Sequence, residues 1–431
     1  MTAPTPLTDP AAAPDPGLIA SLRGLDRDGR LLFTMRTLRM FGYGFLAVVL
    51  VLYLAAAGLD PLAIGLVLSL TLIGDTIISL WLTTNADRLG RRRVLVAGAG
   101  LMIVAGVVFA FTSWLPLLIL AGAIGVVSPT GNEVGPFLAI EQAALTQTIP
   151  STRRTSTFAW YNLVGYVATA TGALGAGLLS QAFLDNGTAP IDAYRFVVIG
   201  YALIGFVMIV GFWRLGAAIE APPRASATDG IRRRFGLGRS KGVVLRLSLL
   251  FSIDAFGGGF IPQSLMAYWF HLQYGVDPAT LGAIFFGANM LAAVSSLSAA
   301  RIAARFGLLN TMIFSHLPSN VLLILVPLMP NLPLAITVLL LRFSLSQMDV
   351  PTRQSYVMAV VDADERSAAA GVTGIARTTG AAISPSISSV LIANAGYAAL
   401  PFYLAGGFKI LYDLLIYGSF RNVKPPEERR G

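Results

Sequence analysis

The sequence predicts an all-α membrane protein: twelve transmembrane helices in two pseudo-symmetric six-helix bundles. Three observations carry that prediction. Twelve apolar stretches, each about a bilayer thick, run from Arg39 to Phe420; the second six echo the first; and basic residues crowd into alternate loops. Composition agrees, with 55% hydrophobic residues, only 12% charged and a mean hydropathy of +0.71. A soluble domain of 431 residues has too little interior to hide so much apolar surface. Spans in lipid must satisfy their own backbone hydrogen bonds, which makes these stretches helices.

In chain order, residues 1–33 read as a cytoplasmic tail. The Pro- and Ala-rich start lacks the basic flank and short apolar core of a cleavable signal. The first bundle, 34–213, holds spans near 37–57, 61–82, 94–113, 115–141, 156–182 and 195–213. Residues 214–245, polar and Arg-rich, form a basic linker. The second bundle, 246–420, holds spans near 246–270, 279–303, 309–328, 333–357, 367–393 and 399–418, followed by a cytoplasmic tail at 421–431. Each span is near the ~20 residues needed to cross a ~30 Å hydrocarbon core.

One set of loops carries Arg88 and Arg91 to Arg93, Arg153 and Arg154, the linker arginines, Arg305, and the basic C-terminus. The opposite loops carry Asp60, Asp185, Asp192, His271 and Asp277, with Arg195 at a helix edge. Lysine and arginine bias sets topology, so both termini are expected in the cytoplasm of a bacterial-type inner (plasma) membrane. The net charge of +9 therefore reflects topology and not nucleic-acid binding. The chain has no cysteine and only two histidines, His271 and His316. No metal site, cofactor or nucleophile–base constellation is expected, and hence no enzyme. A phosphate-cradling loop is also missing, which argues against ATP-driven pumping.

The repeat is specific. Phe41-Gly42-Tyr43-Gly44-Phe45 matches Phe256-Gly257-Gly258-Gly259-Phe260. Asp60-Pro61 and Gly65 match Asp277-Pro278 and Gly282. Arg88-Leu89-Gly90 matches Arg305-Phe306-Gly307, and Gln142 and Arg154 match Gln354 and Arg366. Parallel halves of this kind suit alternating access around a midplane site.

The loop after span 2, Asp87-Arg88-Leu89-Gly90-Arg91-Arg92-Arg93, resembles the signature loop of the major facilitator superfamily. That family's leading glycine is Thr83 here, and the second copy, Ala304-Arg305-Phe306-Gly307, lacks the acid. With twelve spans and a basic central linker, the resemblance covers essentially the whole chain. It implies solute transport by rocking of the two halves, with spans 1, 4, 7 and 10 lining the cavity. Asp87, Arg88, Gly90 and Arg91 are then the gating loop, Asp87 facing a helix N-terminus of the opposite half. Arg92 and Arg93 are as well explained by topology alone.

Ionisable groups at membrane depth need partners or a wet cavity. The set is Arg39, Asp75, Glu133, Glu141, Asp254, Arg342, Asp349, Arg353, Arg377, Lys409 and Asp413, mostly on spans 1, 4, 7 and 10. In the repeat, Arg39 takes the place of Asp254, and Glu141 that of Arg353. Each half thus offers one acid and one base with signs exchanged, and the pairs Arg39–Glu141 and Asp254–Arg353 are expected. Arg39, Glu133, Glu141, Asp254, Arg342, Asp349 and Arg353 are the cavity and coupling candidates, facing one shared aqueous crevice. Asp254 and Glu133 lead for proton coupling; static pairs bracing two helices are the plainer alternative. Arg342 binds either an acid or a substrate anion, Arg377 either braces span 11 through Asp75 or contacts substrate, and Lys409 and Asp413 pair within span 12.

Span 4 carries Pro129, Gly131, Gly135 and Pro136, which distort it beside Glu133. Glycine-rich span 5 resembles, without its Gly-Pro step, the antiporter motif of drug exporters. Asn162, Gln263, Tyr268 and Trp269 are candidate substrate-lining residues alongside Arg377, although interfacial anchoring is the usual fate of such side chains. The sequence reads as a proton-coupled secondary transporter, an exporter or antiporter of drug-like or metabolite compounds working as a monomer. Its expected partners are a small-molecule substrate, protons and the lipid bilayer. Transport of a small anion held by intramembrane arginines is one rival, and a non-transporting receptor or scaffold is another.

Overall fold

The computed structural model describes residues 25–150, 153–220, 238–362 and 365–421. Helices α1 (Arg27–Ala56), α2 (Pro61–Leu89), α3 (Arg91–Phe111), α5 (Arg154–Asp185) and α6 (Pro190–Trp213) are continuous. So are α8 (Pro278–Phe306), α9 (Leu308–Leu325), α11 (Arg366–Ala393) and α12 (Leu400–Phe420). The other three are broken. Helix α4 splits into α4a (Leu115–Ile124) and α4b (Phe137–Thr148), α7 into α7a (Lys241–Gly259) and α7b (Gln263–Tyr274), and α10 into α10a (Leu332–Ser346) and α10b (Asp349–Val360). Among the described residues ten segments are long and apolar enough to cross a membrane, counting α7 and α10 whole. The remaining crossings are split α4 and the Gly-, Ala-, Ser- and Thr-rich α11, whose composition lowers its hydropathy.

Helix ends follow local sequence. Asp60 and Asp277 cap α2 and α8 from equivalent places, accepting from Ala63 N at 2.9 Å and Thr280 N at 2.9 Å, each with proline next. Gly90 and Gly307 join α2 to α3 and α8 to α9 with φ of 95° and 86°, a conformation that favours glycine. Helix α1 starts ten residues before the expected 37, so the tail boundary at 33 falls inside it. Its extra turns, capped by Asp26, mix Arg27, Asp28, Arg30 and Arg36 with apolar residues, and so escape a hydropathy reading. Likewise α7 starts at Lys241 and not 246. The stretch after α6 is not free linker: Gly216 N donates to Asp28 Oδ1 at 3.0 Å and Ile219 is buried against the first bundle.

The expected continuous span 115–141 is interrupted over 125–136, where Gly131 and Gly135 have φ of 71° and 81° and Val126 a φ of 52°. Side chains supply the hydrogen bonds the missing helix cannot. Asp75 accepts from Gly135 N at 2.8 Å, Tyr43 donates to Val134 O at 3.0 Å, and Tyr201 donates to Val126 O at 2.6 Å. At the break in α7, Ser384 and Ser388 of α11 donate to the carbonyls of Phe256 and Phe260.

The two bundles meet along α2 against α11, α5 against α8, and α1 against α7b. A Cβ on Gly177 would lie 2.3 Å from Pro278 O, and one on Gly65 2.6 Å from Ser386 Cα. Ser386 Oγ donates to Ser69 Oγ at 2.7 Å, and Ser264 N donates to Pro129 O at 3.1 Å. The Gly65, Ser69 and Gly177 contacts lie toward the acidic-loop end, so the molecule is sealed there.

Candidate functional site

At the basic-loop end lies a cavity of about 1140 Å³. Its walls come from α7a, α8, α9, α10b and α11, with Gln142 of α4b contributed by the first bundle. The lining charges are Arg353, Arg366 and Arg377, and no carboxylate lines it among the described residues.

The intramembrane charges form two separate networks. In the first bundle, Arg39 of α1 makes a two-pronged pair with Glu141 of α4b at 2.6 and 2.7 Å. Glu133, in the α4 break, bridges Arg39 at 2.9 Å and Arg36 at 2.6 Å. The Tyr161 hydroxyl donates to Glu141, and Arg36 Nε donates to Tyr161 O at 2.6 Å. Arg39 and Glu141 are fully buried, and Arg39 also lies over the Phe137 ring.

In the second bundle, Asp254 of α7a accepts from Lys409 Nζ at 2.7 Å and from Arg353 at 3.2 Å. Arg353 also reaches Asp349 at 2.9 Å, one turn away on α10b. His316 of α9 stands between two acids, with Nε2 at 3.6 Å from Asp254 and Nδ1 at 2.8 Å from Asp413. Asn320 completes the network with a donor to Asp413 at 3.2 Å.

Both pairings expected from the repeat, Arg39–Glu141 and Asp254–Arg353, are present. Several other expectations are corrected. The charges do not face one shared crevice: of the cavity and coupling candidates only Arg353 lines the cavity, because each acid is enclosed by cations of its own bundle. Lys409 and Asp413 do not pair with each other; one turn apart, they reach Asp254 and His316 on different helices. Asp75 is taken by the α4 break, so Arg377 does not brace through it, and Arg377 lines the cavity. Trp269 is buried against Phe270 and Phe402, and Tyr268 packs on the same core, since α7b lies on the sealed side. Gln263 Oε1 accepts from Asn289 at 3.3 Å, and Asn162 is exposed on α5 outside the lining. Arg342 lies over the Phe343 ring with its Nε buried and unpartnered among the described residues.

In the gating loop, Asp87 pairs with Arg91 one turn away at 3.0 Å. Arg91 also donates to Ile219 O at 3.1 Å, and Glu220 accepts from the backbone N of Arg91 at 2.6 Å. Arg88 is exposed. Sequence reasoning missed Arg36, His316 and Asn320. His316 and Asn320 are one turn apart on α9 and in contact at 3.1 Å, but the acids that they and Arg36 engage lie on other elements.

Comparison with known proteins decides the family. The model described as Major Facilitator Superfamily matches residues 32–378 and again 255–431, the overlap reflecting the two related halves. The chain belongs to this family. Within it, the chain is similar to a Saccharomyces cerevisiae protein named Uncharacterized membrane protein YJR124C, with 32% identity across 95% of this chain and 97% of the relative. Among solved structures, a D-xylose-proton symporter superposes with a TM-score of 0.72 at 15% identity, covering 93% of this chain and 98% of that one. A variant of the nucleoside transporter NupG superposes at 0.69 and 14% identity, covering 90% and 100%. At such identities the likeness is one of fold. A major facilitator chain with this cavity is a multi-pass membrane transporter for a small molecule.

Proposed function

We propose that the chain is a proton-coupled secondary transporter that works by alternating access and exports a drug-like or metabolite compound. One observation supports this reading most. The cavity opens at one end of the bundles, is sealed at the other, and is walled by Arg353, a member of the second-bundle network. A proton arriving on that network alters the partners of a cavity residue, which links ion binding to the substrate chamber.

Coupling is assigned to Asp254 with His316 and Lys409. Protonating Asp254 releases Lys409 and Arg353, and either lysine or histidine then adjusts its own charge. Glu133, held between Arg36 and Arg39, has no such partner, since arginine keeps its charge. The glycine-rich α5 supports export. The basic-loop end is assigned to the cytoplasm, with both termini there, in a plasma membrane of the bacterial inner type. Each network closes within one chain, which favours a functional monomer.

The test is flux in proteoliposomes under an imposed pH gradient, comparing the intact chain with Asp254→Asn. The expected result is loss of pH-driven flux with solute exchange retained. Undiminished pH-driven flux in the variant would refute the coupling assignment, and no flux of any solute in the intact chain would refute transport.

A further inference from the structure

Arg377 and Arg342 stand apart from the other buried cations, and of the two only Arg377 lines the cavity. Arg36, Arg39, Arg353 and Lys409 each hold a carboxylate within 3.2 Å. Arg377, half-buried on α11, makes no hydrogen bond or ion pair with any described residue, although it lies within electrostatic range of Arg353, Asp254 and Asp349. A guanidinium keeps its charge, so one left unpaired in an enclosed chamber calls for an anion from outside the protein. Its surroundings repeat the demand. Arg353 and Arg366 line the same chamber, Gln354 and Thr373 add polar groups, and no acid faces them among the described residues. Gln142 and Ser355 are also polar, and the rest of the wall is apolar, including Phe251, Leu308 and Met358.

We infer that this chamber binds an organic anion, a carboxylate or phosphate on an apolar body, whose charged end is held by Arg377. The inference rests on the transport reading above and names the substrate class of its cavity. The guanidinium fork takes two oxygens of such a group, while the alanine and leucine surfaces of α8 and α9 cover the apolar body. Arg353, already engaged by Asp254 and Asp349, supplies field rather than the primary contact. That field ties anion occupancy to the coupling network: an anion at Arg377 draws Arg353 away from Asp254.

The chemistry fits a soluble metabolite or a lipid headgroup, and the experiment separates them. The full chain in lipid nanodiscs is titrated with benzoate, phenyl phosphate, benzyl alcohol and benzylammonium from the aqueous phase, and with lysophosphatidic acid supplied in the bilayer. Thermal stabilisation and calorimetry are the readouts. Benzoate and phenyl phosphate are expected to bind, and benzyl alcohol and benzylammonium not to. Binding of lysophosphatidic acid alone upholds the anion site and assigns it to a lipid. Arg377→Gln weakens anion binding by about tenfold or more, the scale of one charge-assisted hydrogen bond. Arg377→Lys, which keeps charge but not the fork, restores part of it, and Arg421→Gln changes nothing.

Equal binding of the alcohol or the amine overturns the inference, as does anion binding undiminished in Arg377→Gln. Flux of only neutral or cationic solutes overturns the anion site and leaves the transport reading intact. Anion binding at Arg377 without flux of any solute does the reverse.

Discussion

The two bundles bury ion pairs at equivalent places, with the signs exchanged, and neutralise their acids differently. The first surrounds Glu133 and Glu141 with Arg36, Arg39 and the Tyr161 hydroxyl. The second surrounds Asp254, Asp349 and Asp413 with Arg353, Lys409 and His316. Arginine does not give up its proton, so the first network has one charge state and acts as a brace. The second network holds a lysine and a histidine in place of a second arginine, and the proposed switch is assigned to it. A duplicated fold thus supplies two copies of one buried ion pair, and in the proposed mechanism the residues added around each assign the brace to one half and the proton switch to the other.

Breaking the brace gives the largest effect. Arg39→Met strands Glu141, fully buried, with only Tyr161 to satisfy it. Leaving one partner of a buried pair uncompensated costs about 3–5 kcal/mol. Lys409→Met costs less, about 1–2 kcal/mol, because Asp254 keeps Arg353 at 3.2 Å. Unfolding of the purified full chain in detergent measures both, and equal losses would erase the distinction between brace and switch.

Function separates the halves in the opposite sense. Asp254→Asn removes the acid shared by Lys409, Arg353 and His316, and is expected to cut pH-driven flux by a coupling energy of about 1–3 kcal/mol. Glu133→Gln, in the other network, leaves the pH dependence of flux unchanged while lowering stability. Proteoliposome flux with and without a pH gradient, run on both variants, compares them directly. A larger coupling loss in Glu133→Gln would move the switch to the first bundle.

Much of this was legible in the sequence because it depends on periodicity and repetition. Span number, loop charge and the Arg39/Asp254 and Glu141/Arg353 exchange are all written along the chain. Positions such as His316 are not. It looks like a lone imidazole in an apolar span, and only the packing of α12 against both α9 and α7a brings Asp413 and Asp254 to its two nitrogens. The same holds for the α4 break. Prolines and glycines forecast a distortion, but a twelve-residue irregular stretch over 125–136 survives only because Tyr43, Asp75 and Tyr201 arrive from three other helices. Hydropathy also misplaced the start of α1, whose first turns carry Arg27, Asp28, Arg30 and Arg36.

His316 gives a finer test of the switch. His316→Asn keeps a polar side chain near Asp413 while removing the ring that stands between Asp413 and Asp254. Flux driven by a pH gradient is expected to fall, with a stability cost of about 1 kcal/mol for the lost hydrogen bond. Flux identical to that of the intact chain would leave His316 as packing alone.

The smallest effect tests whether the halves also differ where both are merely structural. Asp60 and Asp277 cap equivalent helices, but only Asp277 has a hydroxyl opposite it: Thr280 Oγ1 donates to its Oδ2 at 2.6 Å, where Asp60 faces Ala63. Partial burial pushes the Asp277 carboxyl up, but the Thr280 hydroxyl and backbone N–H groups outweigh it and hold the group below the usual aspartate range. A carboxyl lowered in the folded state adds stability above its unfolded value and loses it as pH falls through the folded value. Asp277→Ala is therefore expected to cost about 1 kcal/mol near neutrality, and Asp60→Ala nearer ~0.5 kcal/mol, within the range for lost caps. The gap between the variants should close in acid, as Asp277 takes up its proton. Thr280→Ala should bring Asp277 down to the level of Asp60 at every pH, because it converts the second cap into a copy of the first. Thermal melts of the four proteins across the acid range decide it; a gap that persists after Asp277 is protonated would mean the difference lies in helix packing and not in the cap.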